Sequence, residues 1–265
     1  MLRTTVLAVA LLSAATLAAP AAGQELGKTL TLRWFGQSFV QIETSSRQRV
    51  VLDPHAIPTF GTPRVSADVT LVSHPHTDHN QLEVLAEKGR VFDGVTISKD
   101  GRKTDWNRVD ERVKATRVRT LATYHDATGG MQRGKNSVWV IDADGLVICH
   151  LGDLGHELTA EQVKAIGAVD VLLVPVGGIY TINGEVAKKV VDQIKPRRFV
   201  VPMHYGVPGF DDLAGPDEFL GEFKNVKKLT ETNELLIPVE VPAPPEPTVV
   251  HLGWKKADAP VPLKK

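Results

Sequence analysis

The apolar run Asp68-Val69-Thr70-Leu71-Val72-Ser73 leads directly into His74-Pro75-His76-Thr77-Asp78-His79, so four potential metal ligands stand where a strand gives way to a loop. In an extended segment side chains alternate, so His74 and His76 point the same way, while Asp78 and His79 follow a turn and approach from another side. Neutral imidazoles and a carboxylate are the donors that zinc and similar divalent ions prefer, and the strand supplies a rigid base. A polar loop that is rich in histidine by chance has no need of an apolar strand in front of it. The segment therefore predicts a hydrolytic metal site at a strand end.

The two ends of the chain are set apart from this fold. Residues 1–23 carry a basic Arg3, an apolar stretch from Val6 to Ala19 broken only by Ser13 and Thr16, and the small residues Ala19-Pro20-Ala21-Ala22-Gly23. That is the pattern of a secretory signal peptide. A membrane anchor is the weaker reading, because the apolar run falls short of the ~20 residues that span a bilayer. The expected location is periplasmic or secreted, with no stable membrane insertion after cleavage. At the other end, residues 241–265 include Pro242, Pro244, Pro245 and Pro247 and read as an extended, loose tail.

Residues 24–240 remain as one domain, large enough to bury a sizeable core and short for two. Lys and Arg total 31 against 31 Asp and Glu, so no basic excess points to nucleic acid or an anionic membrane. A small-molecule substrate is the expected partner. The single Cys149 cannot form an intramolecular disulfide and sits in an apolar strand pattern as a small core residue.

Strand-like runs fall at 29–35, 39–43, 49–52, 69–72, 117–122, 138–142, 146–151, 169–175 and 198–203. Helices fit between them. Thr159-Ala160-Glu161-Gln162 has the capping-box pattern and opens a helix to about Ile166. Asn183 caps another, which runs from Glu185 to Ile194 and is closed by Lys195-Pro196. Alternating strands and helices imply an α/β layered fold.

The hexapeptide at 74–79 resembles the HxHxDH signature of the metallo-beta-lactamase superfamily, and the resemblance continues along the chain. Leu32-Arg33-Trp34-Phe35-Gly36-Gln37-Ser38-Phe39 and Val50-Val51-Leu52-Asp53-Pro54 look like its opening strands. Tyr124-His125-Asp126, His150-Leu151-Gly152-Asp153 and Pro202-Met203-His204-Tyr205 follow in the expected order. Val174-Pro175-Val176-Gly177-Gly178-Ile179-Tyr180-Thr181 and the Pro-Met-His-Tyr run are similar to the branch containing ascorbate-6-phosphate lactonase. Gln37 departs from that branch, which commonly has His after the glycine, so no role of that His carries over.

The resemblance implies a four-layer αββα sandwich with the site at one edge of the sheets. It also implies two divalent ions, most simply Zn, with Mn or Fe also compatible with the donor types. By resemblance His74, His76 and His125 hold one ion, Asp78, His79 and His204 hold the other, and Asp153 bridges them. Asp78 is expected to serve the chemistry as well. A bridging carboxylate keeps two ions roughly 3.5 to 4 Å apart, so that a hydroxide shared between them can be the nucleophile. Two readings of Asp53 stand: it orients a ligand histidine through the second ring nitrogen, or it forms a strand-end turn with Pro54. Asp126, beside His125, poses the same question. His150 is expected to be structural, His55 and His156 to support the site or lie in exposed loops, and His251 to play no part.

Arg133 and Asn136, in the loop Gly129-Gly130-Met131-Gln132-Arg133-Gly134-Lys135-Asn136, and Tyr180 in the loop after 169–175 are candidates for contact with substrate. Paired cations in a glycine-bearing loop equally describe an exposed hairpin. The expected function is an exported dinuclear hydrolase of an ester, lactone or phosphodiester. A beta-lactamase is the competing enzyme, although such enzymes place Cys where this chain has Asp153. A noncatalytic metal-binding protein would need a filled, closed ligand set, whereas this one leaves room for water.

Overall fold

The computed structural model describes residues 27–61 and 63–255. The proposed signal segment lies outside them, and no helix among the described residues is long and apolar enough to cross a membrane. The chain opens with strands β1 (Thr29–Trp34), β2 (Val40–Glu43), β3 (Arg49–Leu52), β4 (Val69–Val72) and β5 (Arg90–Asp93). A small hairpin, β6 (Val95–Ile97) with β7 (Thr104–Trp106), precedes β8 (Asp110–Val113), β9 (Thr116–Tyr124), β10 (Lys135–Ala143) and β11 (Leu146–His150). Helix α1 (Ala160–Ile166), β12 (Val171–Pro175), helix α2 (Gly184–Ile194) and β13 (Phe199–Met203) continue the alternation. The short helix α3 (Asp217–Gly221) leads to β14 (Val226–Leu229), β15 (Glu234–Pro238) and β16 (Thr248–Leu252).

Two sheets result, one in the order β15-β1-β2-β3-β4-β5 and the other β14-β16-β13-β12-β11-β10-β9-β8. In β1 burial alternates, so Leu30, Leu32 and Trp34 face inward while Thr29, Thr31 and Arg33 face out. β12 is buried throughout, as a parallel strand covered on both faces must be. One core cluster unites Trp34, Leu52 and Leu71 of the first sheet with Trp139, Ile148 and Leu173 of the second. Helices cover the outside of the second sheet: α1 begins in the expected capping box, with Thr159 accepting from the Gln162 backbone N–H. α2 turns Ala187, Val190, Val191 and Ile194 inward, one stripe at helical spacing, and ends at Lys195 in the left-handed region. The outer layer over the first sheet is thin. There a 3-10 turn, Leu82–Val84, packs Val84 and Leu85 with Phe35, Phe39, Val51 and Ala67.

The expected loose tail is corrected in part. The prolines stay in an exposed connection up to Pro247, but residues 248–252 form β16, which pairs in parallel with both β13 and β14 inside the second sheet. The apolar Thr248-Val249-Val250-His251-Leu252 run buries Val249, Val250 and Leu252. Proline is excluded only where a backbone N–H must enter the ladder, and Pro242, Pro244, Pro245 and Pro247 all precede the strand.

Strand direction explains where the site lies. β1, β3 and β4 run the same way in the first sheet, and β9, β11, β12 and β13 do so in the second. The residues that follow their C-terminal ends are Gln37, Asp53, His74 to His79, His125, Asp153, Tyr180 and His204, and they converge on one edge.

Candidate metal centre

Two ligand groups form at that edge. His74, His76 and His125 offer nitrogens within 4.8 Å of one another, and so do the donor atoms of Asp78, His79, Asp153 and His204. The carboxylate of Asp153 is the meeting point: its Oδ2 lies 3.1 Å from Nε2 of His79, 3.1 Å from Nε2 of His125, 3.0 Å from Nε2 of His204 and 3.9 Å from Nε2 of His74.

The hydrogen bonds behind these rings fix their tautomers. Asp53 accepts from the Ser73 backbone N–H at 2.7 Å and from Ser73 Oγ at 2.6 Å. With its proton so committed, Ser73 Oγ accepts from His74 Nδ1 at 2.9 Å. His79 Nδ1 donates to Asp53 Oδ2 at 3.0 Å, and His125 Nδ1 donates to the Tyr180 carbonyl at 3.1 Å. In all three rings Nδ1 is thus bound away from the centre and Nε2 faces it, the orientation that a metal-binding imidazole requires. Asp53 thus holds the His79 ring through Nδ1 and reaches His74 by way of Ser73.

The remaining histidines of this end behave differently. His150 donates through Nε2 to the Ser38 carbonyl and accepts from Gly152 N–H at Nδ1. His55 donates to the Gly36 carbonyl and accepts from Ile57 N–H. His156 accepts from Tyr124 N–H and donates to the Glu157 carbonyl. Each has both ring nitrogens engaged within the protein, so each is structural.

Electrostatics sharpen the contrast. Burial, followed by the neighbouring His79 imidazole, holds His74 well below the ordinary imidazole range. Burial would raise Asp153, yet the imidazoles of His204, His79 and His125 outweigh it and hold the carboxyl well below its usual range. Burial would lower His79, but the Asp153 charge and hydrogen bonds to carboxylates push it well above. One carboxylate oxygen has too few lone pairs for the nitrogens gathered around it. Nε2 of His79 and Nδ1 of His204 are buried without a hydrogen-bond partner. Imidazole nitrogens crowded around one carboxylate oxygen that cannot accept from all of them are the donor set of divalent ions, which would take the place of protons there.

The candidates for substrate contact separate. Tyr180 and Ile179 are exposed at the rim, Ile179 with φ of +59°, and Arg133 donates to the Ile179 carbonyl at 3.0 Å while lying over the Tyr180 ring. Lys135 turns away: its ammonium sits over Trp106 and donates to the Asp105 carboxylate at 3.2 Å. Asn136 is fully buried, so the expectation that it touches substrate is corrected. Its Oδ1 accepts from Asp153 N–H at 3.0 Å, and its amide donates to the Thr123 hydroxyl and the Leu151 carbonyl. Gly152 makes this approach possible, since a Cβ there would come within 2.4 Å of Asn136 Oδ1. Asp126 accepts from the backbone N–H groups of Thr128, Gly130, Gln132 and Arg133 and so shapes the loop that carries Arg133.

Two contributors, Ser73 and Ser38, carried no mark in the sequence reading, and Gln37 stood there only as a departure with no role. Gln37 donates to Asp78 Oδ2 at 3.0 Å, and Ser38 Oγ donates to Asp153 Oδ1 at 3.3 Å. The available signal was their polarity inside otherwise apolar strand ends.

Fold and site define a class, and comparison with known proteins agrees. The profile of the beta-lactamase superfamily domain matches residues 31–204, and the chain belongs to the metallo-beta-lactamase superfamily. A UPF0173 metal-dependent hydrolase of Thermoplasma acidophilum is 27% identical over 81% of this chain and 100% of its own length. One of Pyrococcus horikoshii is 28% identical over 71% of this chain and 89% of its own. A solved structure from Thermotoga maritima, presented as a Zn-dependent hydrolase of the same superfamily, is 30% identical, superposes with a TM-score of 0.65 and covers 84% of this chain and 99% of its own. The protein is a metal-dependent hydrolase.

Proposed function

We propose that the chain is an exported hydrolase that works with two divalent ions and cleaves an ester or lactone in preference to a phosphodiester. His74, His76 and His125 would hold one ion and Asp78, His79 and His204 the other, with Asp153 shared. The ions, Zn or else Mn or Fe, would when bound supply an activated water and draw charge from the scissile oxygen. The observation that carries this reading is the ring of three Nε2 atoms, each 3.0 to 3.1 Å from a single Asp153 oxygen. Asp53, Ser73 and the Tyr180 carbonyl would keep the imidazoles aimed, so that little motion is needed when the substrate arrives. Asp78, the more exposed of the two ligand carboxylates, would pass the released proton towards solvent.

The preference for carbonyl chemistry rests on Lys135. With its ammonium engaged by Trp106 and Asp105, the rim keeps Arg133 beside Tyr180, itself tied to the Ile179 carbonyl. The single negative charge of a phosphodiester would meet there a guanidinium already committed to a carbonyl. The same engagement leaves the apolar faces of Ile179 and Tyr180 to receive the part of the substrate remote from the scissile bond. A beta-lactamase reading gains no ligand from Cys149, which is buried in β11 with its thiol pushed up to about 12 by burial.

Elemental analysis of the mature protein should give close to two metal equivalents. A panel of chromogenic esters, lactones, phosphodiesters and a cephalosporin should show metal-dependent turnover, strongest among the esters and lactones. One equivalent that added Zn or Mn cannot raise would remove the two-ion reading, and efficient cephalosporin hydrolysis would reverse the substrate ranking. Export is tested separately: mass spectrometry should place the mature N-terminus between Pro20 and Leu26.

A further inference from the structure

We infer that Gln37 is a positioning residue that sets the affinity of the Asp78–His79–His204 position for its ion, while Ser38 steadies the shared Asp153. The inference rests on the two-ion reading above. The turn between β1 and β2 reaches three ligands that come from three other strand ends. Gln37 Nε2 donates to Asp78, Ser38 Oγ donates to Asp153, and the Gln37 carbonyl accepts from the His204 backbone N–H at 2.9 Å. Trp34 Nε1 donates to that same carbonyl at 2.8 Å, which anchors the turn to the core. None of the hydrogen bonds that hold His74, His76 or His125 comes from this turn.

Two features separate Gln37 from a glutamine retained for folding. Its backbone stands at φ of +50°, a conformation that costs any L side chain. Its Oε1 is buried with no hydrogen-bond partner among the described residues, a loss that the fold recovers nowhere else. The turn cannot relax to avoid either, because Gly36 at φ of +94° is pressed against the Phe60 ring, where a Cβ would meet carbon at 2.1 Å. What the strain preserves is a donor on Asp78 and a fixed backbone under His204. A carboxylate already held in one rotamer loses less freedom when it takes an ion, and hydrogen-bonded supports of this kind change metal affinity by about 10- to 100-fold.

The test uses the full mature protein and Zn(II) alone, titrated in competition with a chromophoric chelator. Gln37→Met keeps the bulk and removes the donor; Ser38→Ala removes the contact to Asp153. Paired backgrounds say which position responds. With His76→Ala, which cripples the three-histidine group, adding Gln37→Met should weaken the remaining ion about ten-fold or more. With His204→Ala, which cripples the other group, adding Gln37→Met should leave the remaining ion within about two-fold. Ser38→Ala, acting on the shared Asp153, should give a smaller shift in both backgrounds, so the contrast between backgrounds is read from Gln37→Met alone. Equal weakening in both backgrounds, or none in either, overturns the inference while leaving a wild-type content of two ions intact. A wild-type content of one ion overturns the two-ion reading and this inference with it. Metal-free melting temperatures exclude misfolding, and Gln37→Asn, too short to reach Asp78, replaces Gln37→Met if that variant does not fold.

Discussion

The three-histidine group and the carboxylate-bearing group share an edge of the sandwich but are assembled differently. The first is made of imidazoles alone, leaves His76 exposed, and is braced by neutral groups: Ser73 supports His74, His74 contacts His76 at 3.0 Å, and the Tyr180 carbonyl holds His125. The second contains two carboxylates, buries His79, Asp153 and His204, and is braced from far along the chain by Asp53, Gln37, Ser38 and Asn136. A neutral, open group needs little beyond the two strand ends, of β4 and β9, that carry its imidazoles. A charged, enclosed group must be over-determined by its surroundings, because an unpaired carboxylate in such a place is costly.

The largest effect should come from the residue the groups share. Asp153→Ala should empty both positions and lower activity by about a thousand-fold, which is about 4 kcal/mol of barrier. Elemental analysis with steady-state kinetics checks it, and retention of a full ion in either group would break the idea that Asp153 joins them.

Acid should distinguish the groups next, through His55, which supports the Gly36 turn. Burial lowers the pKa of His55 to about 4 from an ordinary 6.5. Above pH 6.5 the ring is neutral both folded and unfolded, so it adds no pH dependence. As pH falls from 6.5 towards 4, the unfolded chain gains a proton that the folded one refuses, and up to about 3 kcal/mol of stability is lost. Melting curves of metal-free wild type and His55→Gln across that window should converge as pH falls; parallel curves would detach His55 from the acid response.

Asp53→Asn should weaken metal binding about 10- to 100-fold, because it removes the acceptor behind His79 and disturbs Ser73. Zn titration should locate the larger share of that loss in the carboxylate-bearing group. An equal loss in both would mean that Ser73 transmits as much as His79 does. The smallest effect belongs to Cys149→Ser, about 1 to 2 kcal/mol of stability for a hydroxyl placed in an apolar strand, with metal content unchanged. Metal loss there would put a ligand outside both groups.

The sequence was most legible where structure is local. The runs at 49–52 and 69–72 match β3 and β4, Thr159 opens its helix with the expected capping box, and residues 74–79 announce their chemistry by spacing alone. Three features were hidden because they depend on partners distant in sequence. Asn136 looked like a loop polar residue until β10 and β11 paired and carried it under Asp153. Gln37 became meaningful once β4 brought Asp78 over the first turn. The four prolines masked β16, whose apolar alternation is only five residues long and whose place is set by β13 and β14.

That last strand bears on how the molecule is made. β13, which delivers His204, keeps one open side until residues 248–252 arrive to fill the slot beside it. A chain emerging from the ribosome N-terminus first therefore carries an unfinished sheet until its closing residues are free, with β14 still waiting for the neighbour that will attach it. An unpaired, buried-type strand edge is a template for pairing with another copy. Cutting the chain at residue 247 would thus do more than trim an end. It would turn an interior strand into an exposed border next to the metal centre, and the expected outcome is aggregation during expression.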